Sequence, residues 1–138
     1  MTDEKQKQKR NKDELLSRGL EMMDRVYGPG VSEMARPGSE VPFISETIRH
    51  QFAEIWSRPH LSIRDRRLLV IGATAMLGRE DLIEVQVLGA LRNKELDEDQ
   101  LEEAVLHLAF YAGWGNATAV SRGIQAAKKR YAEEQANT

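Results

Sequence analysis

The chain has 138 residues with 20 basic and 22 acidic side chains, and its net charge of −2 provides no bulk attraction for nucleic acid. Hydrophobic residues make up 41% and charged residues 30%, and no run approaches the roughly 18–20 apolar residues of a membrane span, as is typical of a soluble globular protein. Cysteine is absent, which excludes disulfides, thiolate metal ligands, cysteine nucleophiles and thiol peroxidase chemistry.

The first segment, residues 1–14, holds one apolar side chain and nine charged ones. Such a segment has no face to bury, so we expect a disordered or frayed tail. It is too polar for a signal peptide and too acidic for a transit peptide, and the cytoplasm is therefore the expected compartment. Residues 15–134 are expected to form a single domain.

The first predicted helix should end at Gly28, because Gly28 and Pro29 do not suit a helix interior. Its apolar stripe at helical spacing consists of Leu16, Leu20, Met23 and Val26. A loop extends to about residue 40. An apolar face from Phe43 to Trp56 then marks a second helix that ends before Pro59.

The third and fourth predicted helices follow without a long loop. Ser62 with Asp65 three positions later is a capping-box signal, and the helix that it opens runs through the apolar stretch up to Met76. The run of residues 68–71 could form a strand in isolation, but the apolar stretch exceeds typical strand length, so a buried helix is preferred. The fourth helix covers roughly residues 80–92.

The last two predicted helices are marked by caps. Asp97 with Gln100 opens a fifth helix, which Gly113 ends, and Asn116 is a candidate cap for the sixth. No Asn-Gly or Asp-Gly hairpin turn and no sustained alternation of period two occurs. The sequence therefore predicts an all-α fold of about six helices.

Two stretches, residues 68–76 and 101–111, are apolar on more than one face. A helix that is apolar nearly all round must be covered on nearly all sides. A domain of this size has few fully interior helices, because much of its surface stays exposed. We therefore expect an obligate homo-oligomer.

General motifs identify no active site. The chain has three histidines, His50, His60 and His107, without the spacing of a zinc site. Glycine-rich nucleotide loops, a Walker-type loop and the Gly-x-Ser-x-Gly elbow are absent from the sequence. No metal and no cofactor is predicted.

Two polar side chains lie on apolar stretches. His107 is followed one helical turn later by Tyr111, and it is either a core histidine or a proton carrier in a pocket. Gln86 shares a face with Leu82 and Gly89, which favours a buried or interface amide. His50 has no clear partner in the sequence.

Aromatic and basic residues supply further candidates. Trp56 and Trp114 are either core or interface aromatics or platforms that stack on a planar ligand. Arg58 belongs to an arginine cluster that is either a solvated face or a carboxylate clamp. The other members of the cluster are Arg64, Arg66 and Arg67.

The segment from Glu54 to Leu69 contains Trp-Ser-Arg-Pro-His-Leu, which resembles the Trp-x-Arg-Pro-x-Leu segment of the carboxymuconolactone decarboxylase family. The resemblance continues through residues 73–79, 89–93 and 97–103 to the segment 106–114, and covers roughly residues 43–120. It implies an all-α fold of the alkyl hydroperoxidase D-like superfamily. Its central helix hairpin, here helices four and five, would drive assembly into a trimer or hexamer.

The chain departs from the family at its functional positions. The Cys-x-x-Cys-x-x-x-His motif of the peroxidase branch would fall on Arg79, Leu82 and Gln86, and its upstream glutamate on Arg67. The His-x-Arg-x-Ala-Leu motif of the decarboxylase branch places Gln86 at the histidine and Leu88 at the arginine. A glutamine forms hydrogen bonds but does not exchange a proton near pH 7.

The resemblance implies a cofactor-free decarboxylase or lyase of a small lactone or oxo-acid in aromatic-compound catabolism, with no nucleic-acid or membrane partner. The predicted proton donor is His107, with His50 as second choice. The predicted substrate contacts are Trp56, Arg58, Gln86, Tyr111 and Trp114, with Gln86 near both tryptophans. The alternative is a non-catalytic oligomeric protein that binds a small acid or lactone on the same scaffold.

Overall fold

The computed structural model describes residues 2–138, and every regular element in that range is helical. The six α-helices are α1 (Asp3–Tyr27), α2 (Pro42–Glu46), α3 (Ile63–Met76), α4 (Glu80–Arg92), α5 (Glu98–Ala112) and α6 (Trp114–Ala136). Short 3₁₀ turns span Val31–Met34 and Arg36–Gly38, and a π-helical segment, Thr47–Trp56, continues α2. The prediction of an all-α fold is confirmed. Within residues 2–138, every helix is too short or too polar to form a membrane span.

The chain divides after His60 into two compact units. We call them the N-terminal unit, which ends at His60, and the C-terminal unit, Leu61–Thr138. Each unit is described by itself.

Helix α1 of the N-terminal unit is longer than the sequence predicted. The Thr2 side chain accepts a hydrogen bond from the Lys5 amide, and the helix starts at Asp3. The charged segment, expected to be disordered or frayed, is thus helical from Asp3 onward, and Met1 lies outside the described residues. Only the second half of α1 is buried, where Gly19 to Val26 pack against the π-helical segment.

A buried arginine joins three parts of the N-terminal unit. Arg49, on the π-helical segment, donates from Nε to the Lys12 carbonyl (3.2 Å) and from Nη1 to the Ser39 carbonyl (2.6 Å). It also donates to Ser45 Oγ (2.8 Å) and to Glu40 Oε1 (2.9 Å). A buried guanidinium needs a partner for each of its donors. Arg49 meets this need with groups from α1, from the loop before α2 and from α2, and so connects them to the π-helical segment.

Two of the three caps predicted for the C-terminal unit are confirmed. Ser62 Oγ accepts from the Asp65 amide at 3.0 Å, and Asp97 and Gln100 form the reciprocal bonds of a capping box. The prediction for Asn116 is wrong. Helix α6 begins at Trp114, and Asn116 Nδ2 donates to the Ala112 carbonyl (2.9 Å) instead.

The core of the C-terminal unit is formed largely by α3, α4 and α6, together with Leu96, which precedes α5, and Leu101 within α5. Helices α4 and α5 both pack mainly against α6. The hairpin that the resemblance implied between helices four and five is therefore not the main packing of this unit. Helix α5 fully buries only Leu101 and Ala109, and its large side chains Leu106, Phe110 and Tyr111 are exposed.

The first turn of α4 carries an ion pair that makes stability depend on pH. Arg79 donates to both carboxylate oxygens of Asp81, at 2.9 and 2.7 Å, and these hydrogen bonds lower the pKa of Asp81 to about 2. Since the folded-state pKa of Asp81 lies below its unfolded-state pKa, the stabilisation by this ion pair is present above about pH 4 and is lost as the pH falls towards 2.

Asp81→Asn should therefore lower the urea midpoint at pH 6 and have little effect at pH 2. An equal difference at both pH values would contradict the assignment.

Candidate functional site

Three polar side chains meet inside the C-terminal unit. Arg67 on α3 is 0% exposed. It donates from Nε and Nη2 to the two carboxylate oxygens of Glu95, at 3.0 and 3.2 Å, and from Nη1 to Gln86 Oε1 at 3.0 Å. We call Arg67, Gln86 and Glu95 the Arg67 cluster.

The loop between α4 and α5 directs Glu95 at Arg67. Lys94 adopts a left-handed backbone conformation (φ 54°), and the Glu95 amide donates to the Ala90 carbonyl. The Glu95 carboxylate also accepts from Asn93 Nδ2 (2.9 Å), while its carbonyl accepts from Arg64 Nε (3.0 Å). The loop is thus held to α3 by two arginines.

The Arg67 cluster fixes the relative positions of a buried guanidinium and its carboxylate partner. A planar guanidinium paired with both oxygens of a carboxylate is a strong and directional contact. Neither a guanidinium nor a carboxamide exchanges protons near neutral pH. Gln86 is a buried, hydrogen-bonded amide in this structure. The positions corresponding to the peroxidase glutamate and histidine, Arg67 and Gln86, lie in direct contact here but carry no acid–base pair.

An exposed aromatic surface lies on α5 and at the start of α6. The rings of His107 and Tyr111 are 5.0 Å apart, and Phe110 meets Trp114 edge to face at 5.4 Å. Tyr111 is 76% exposed, and His107 is exposed as well, so His107 is not the core histidine that one interpretation of the sequence expected. We call these four residues the aromatic surface.

Trp114 also lines a groove of about 360 Å³ along α5 and α6. Leu106, which precedes His107, also lines this groove. The groove and the aromatic surface therefore share Trp114.

Three predicted site residues lie in the N-terminal unit. Trp56 is buried and stacks on Phe52, with ring centroids 6.0 Å apart and planes 9° apart. His50 is exposed, with Nδ1 3.7 Å from Glu46 Oε2, and Arg58 is exposed just after the π-helical segment. Trp56 therefore has the core aromatic role in its own unit, whereas Gln86 and Trp114 belong to the C-terminal unit.

Nothing in the described part of the chain forms a metal site. Within residues 2–138, no group of three or more histidine, aspartate or glutamate side chains is placed to hold a metal ion. Glu95 was not predicted as a site residue, and the burial of Arg67 was not predicted either. The spacing of Arg67, Ile71 and Thr74 at i, i+4 and i+7 signals one inward helix face, on which Arg67 lies.

Comparisons with known proteins relate the chain to one family and to a few proteins. The model of the carboxymuconolactone decarboxylase family matches residues 45–126, a range that includes all seven predicted site residues. The 4-carboxymuconolactone decarboxylase of Acinetobacter baylyi is 40% identical over 65 residues, which are 47% of this chain and 48% of that protein.

A ditrans,polycis-undecaprenyl-diphosphate synthase of Xylella fastidiosa is 30% identical over 101 residues, which are 66% of this chain and 38% of that protein. The chain thus spans less than half the length of each of these relatives. No solved structure matches it significantly. Because the family model matches more than half of its residues, the chain belongs to the carboxymuconolactone decarboxylase family.

Proposed function

We propose that the protein is a cofactor-free decarboxylase or lyase that acts on a small lactone or oxo-acid in the breakdown of aromatic compounds. The observation that carries this proposal is the pairing of His107 with Tyr111 on an exposed surface of the matched region. An imidazole exchanges protons near neutral pH, and the neighbouring phenol can orient its ring. The similarity to a 4-carboxymuconolactone decarboxylase supports the substrate class.

The reaction needs one proton donor and an oriented substrate. As the bond to the carboxylate carbon breaks, carbon dioxide leaves and the electron pair passes into a conjugated enolate or dienolate. The His107 imidazolium then donates its proton to the carbon that lost the carboxylate and recovers a proton from water. No electron acceptor is required, and orientation of the substrate supplies much of the remaining rate enhancement.

Replacing His107 by glutamine tests the proposal. We expect His107→Gln to lower the rate of carbon dioxide release from small lactone acids or β-oxo acids by about 100-fold or more, because the proton donor is lost. The melting temperature should change by only a few degrees, since the ring is exposed. His60→Gln, a change of another exposed histidine that is assigned no role, is the matched control. Equal rates for His107→Gln and the parent protein would contradict the assignment.

The Arg67 cluster favours a second candidate, a non-catalytic binding protein. Gln86, at the position of the family's histidine, is engaged by Arg67, and Leu88, at the position of its arginine, is 3% exposed in the core. Both changes remove groups that serve acid–base or carboxylate chemistry. Saturable binding of the same acids in calorimetry, without any release of carbon dioxide, would favour this candidate over the decarboxylase.

We further propose that the protein assembles into a homotrimer or homohexamer through the C-terminal unit. Large apolar side chains of this unit are exposed on α3, at its C-terminal end and on α5 to an extent unusual for a monomer. They include Leu69, Met76, Leu77, Leu106, Phe110 and Tyr111.

Light scattering checks the assembly. We expect a mass three or six times that of the 15.7 kDa chain, and Phe110→Asp should shift the population towards smaller species because it places a charge on an apolar contact. Lys129→Glu, a charge change at an exposed position of α6, should leave the mass unchanged. A folded monomer at micromolar concentration would contradict the proposal.

A further inference from the structure

The groove along α5 and α6 is apolar at the end near Gly113 and polar at the far end. Only Gly113 connects the two helices, which pack against each other, so residues equally far from Gly113 lie side by side. Ala109 and Ala117 therefore flank the end near the turn, where Trp114 also lies, and Glu102 and Gln125 flank the far end. Between them the wall is mostly apolar.

The far end of the groove carries a carboxylate. Glu102 is the one ionisable residue that lines the groove, and within residues 2–138 it forms no ion pair. Ser121 and Gln125 are the polar neighbours that α6 contributes to the groove. The hydroxyl of Thr118 is engaged, because it donates to the Trp114 carbonyl at 3.0 Å. A carboxylate and two polar side chains thus face the space at one end.

We propose that this groove binds an amphipathic amine, that is, a ligand with an apolar or aromatic body and a protonated amino group. The body lies along the apolar wall and against the Trp114 indole, which offers a large flat contact. The ammonium group meets the Glu102 carboxylate in a charge-assisted hydrogen bond, and Gln125 and Ser121 accept its remaining hydrogens. The same carboxylate repels an acid, so the groove favours a ligand of opposite charge to the acids proposed above, although the groove and the aromatic surface share Trp114.

Three probes with one body and different head groups test the charge preference. They are 3-phenylpropylamine, 3-phenylpropan-1-ol and 3-phenylpropanoate, titrated into the assembled wild-type protein by calorimetry. We expect the amine to bind most tightly, the alcohol more weakly and the carboxylate least. Tighter binding of the carboxylate than of the amine would overturn the proposal.

A matched pair of variants locates the site. Glu102→Gln should weaken binding of the amine by about threefold to fivefold, the size of an exposed ion pair, and leave the alcohol unaffected. Glu103→Gln removes the same charge from the next residue, which does not line the groove, and should change neither. Equal effects of the two variants would show that bulk charge alone attracts the amine and would overturn the site.

A third variant tests the apolar end. Trp114→Ala should weaken the amine and the alcohol alike, because it removes the aromatic contact from the body that they share. Trp114 is 64% exposed, so the variant should fold. If none of the probes binds the assembled protein, a second copy of the chain covers the groove and the proposal fails. Unchanged binding by Trp114→Ala would likewise overturn it.

Discussion

Replacing Glu95 by alanine should lower the free energy of unfolding of the C-terminal unit by about 3–5 kcal/mol. Arg67 is fully buried, and Glu95 accepts two of its hydrogen bonds. Without the carboxylate, a positive charge remains in the interior with only the neutral Gln86 amide among the partners named above. Urea unfolding followed by circular dichroism measures the loss.

Two further variants distinguish the effect of a buried charge without its carboxylate partner from the effect of lost packing. Glu98→Ala removes a carboxylate that pairs with Lys128 at the surface, and it should cost at most about 1 kcal/mol. Adding Arg67→Met to Glu95→Ala should recover part of the loss, because the buried charge that has lost its carboxylate partner is then gone. A double variant as unstable as Glu95→Ala alone would show that packing, rather than charge, accounts for the effect.

Gly19→Ala should destabilise the N-terminal unit by about 3 kcal/mol, at the upper end of the usual cost of overpacking. A Cβ at this position would lie 1.9 Å from the Ile48 carbonyl oxygen and 2.7 Å from its carbon. These are backbone atoms of the π-helical segment, so the clash cannot be relieved by a side-chain rotation. Helix α1 and the segment would have to separate.

The control for Gly19 is another glycine within a helix. A Cβ added to Gly72, on α3, would have no neighbouring atom within 4 Å outside the local helix backbone, so Gly72→Ala should stabilise the chain by about 0.5–1 kcal/mol through helix propensity alone. Urea midpoints of the two variants should therefore move in opposite directions. A stabilising Gly19→Ala would mean that α1 and the π-helical segment do not approach each other at this point.

Local signals in the sequence predicted the helices of the C-terminal unit well. Ser62 and Asp97 have their capping partners three residues away, so a short window contains the whole interaction. The predicted start of α6 was wrong because Asn116 is a good cap by type, but the chain turns at Gly113 with φ 91°, and the Asn116 side chain bonds backward to Ala112. The π-helical winding of Thr47–Trp56 leaves no such local mark.

The candidate site was harder to predict because its contacts are distant in sequence. Arg67 belongs by sequence to an arginine cluster typical of a surface, and its partner Glu95 lies 28 residues away on a loop. Nothing in the intervening pattern shows that this loop returns to α3. The prediction of Gln86 as a buried amide is confirmed. The family's sequence motif could not show that Gln86 contacts Arg67, because the two residues are 19 positions apart on different helices.

The solvated start of α1 supplies a helical spacer for distance measurements. Lys12 is the first residue of α1 fastened to the rest of the unit, through Arg49 and Glu40, and the nine residues before it in the helix extend roughly 14 Å at 1.5 Å per residue. Because the chain lacks cysteine, Lys7→Cys would accept a single thiol-reactive fluorophore at a defined site. The dye would be held by a helix rather than a flexible tether, and resonance energy transfer between copies would then report their geometry in an assembly.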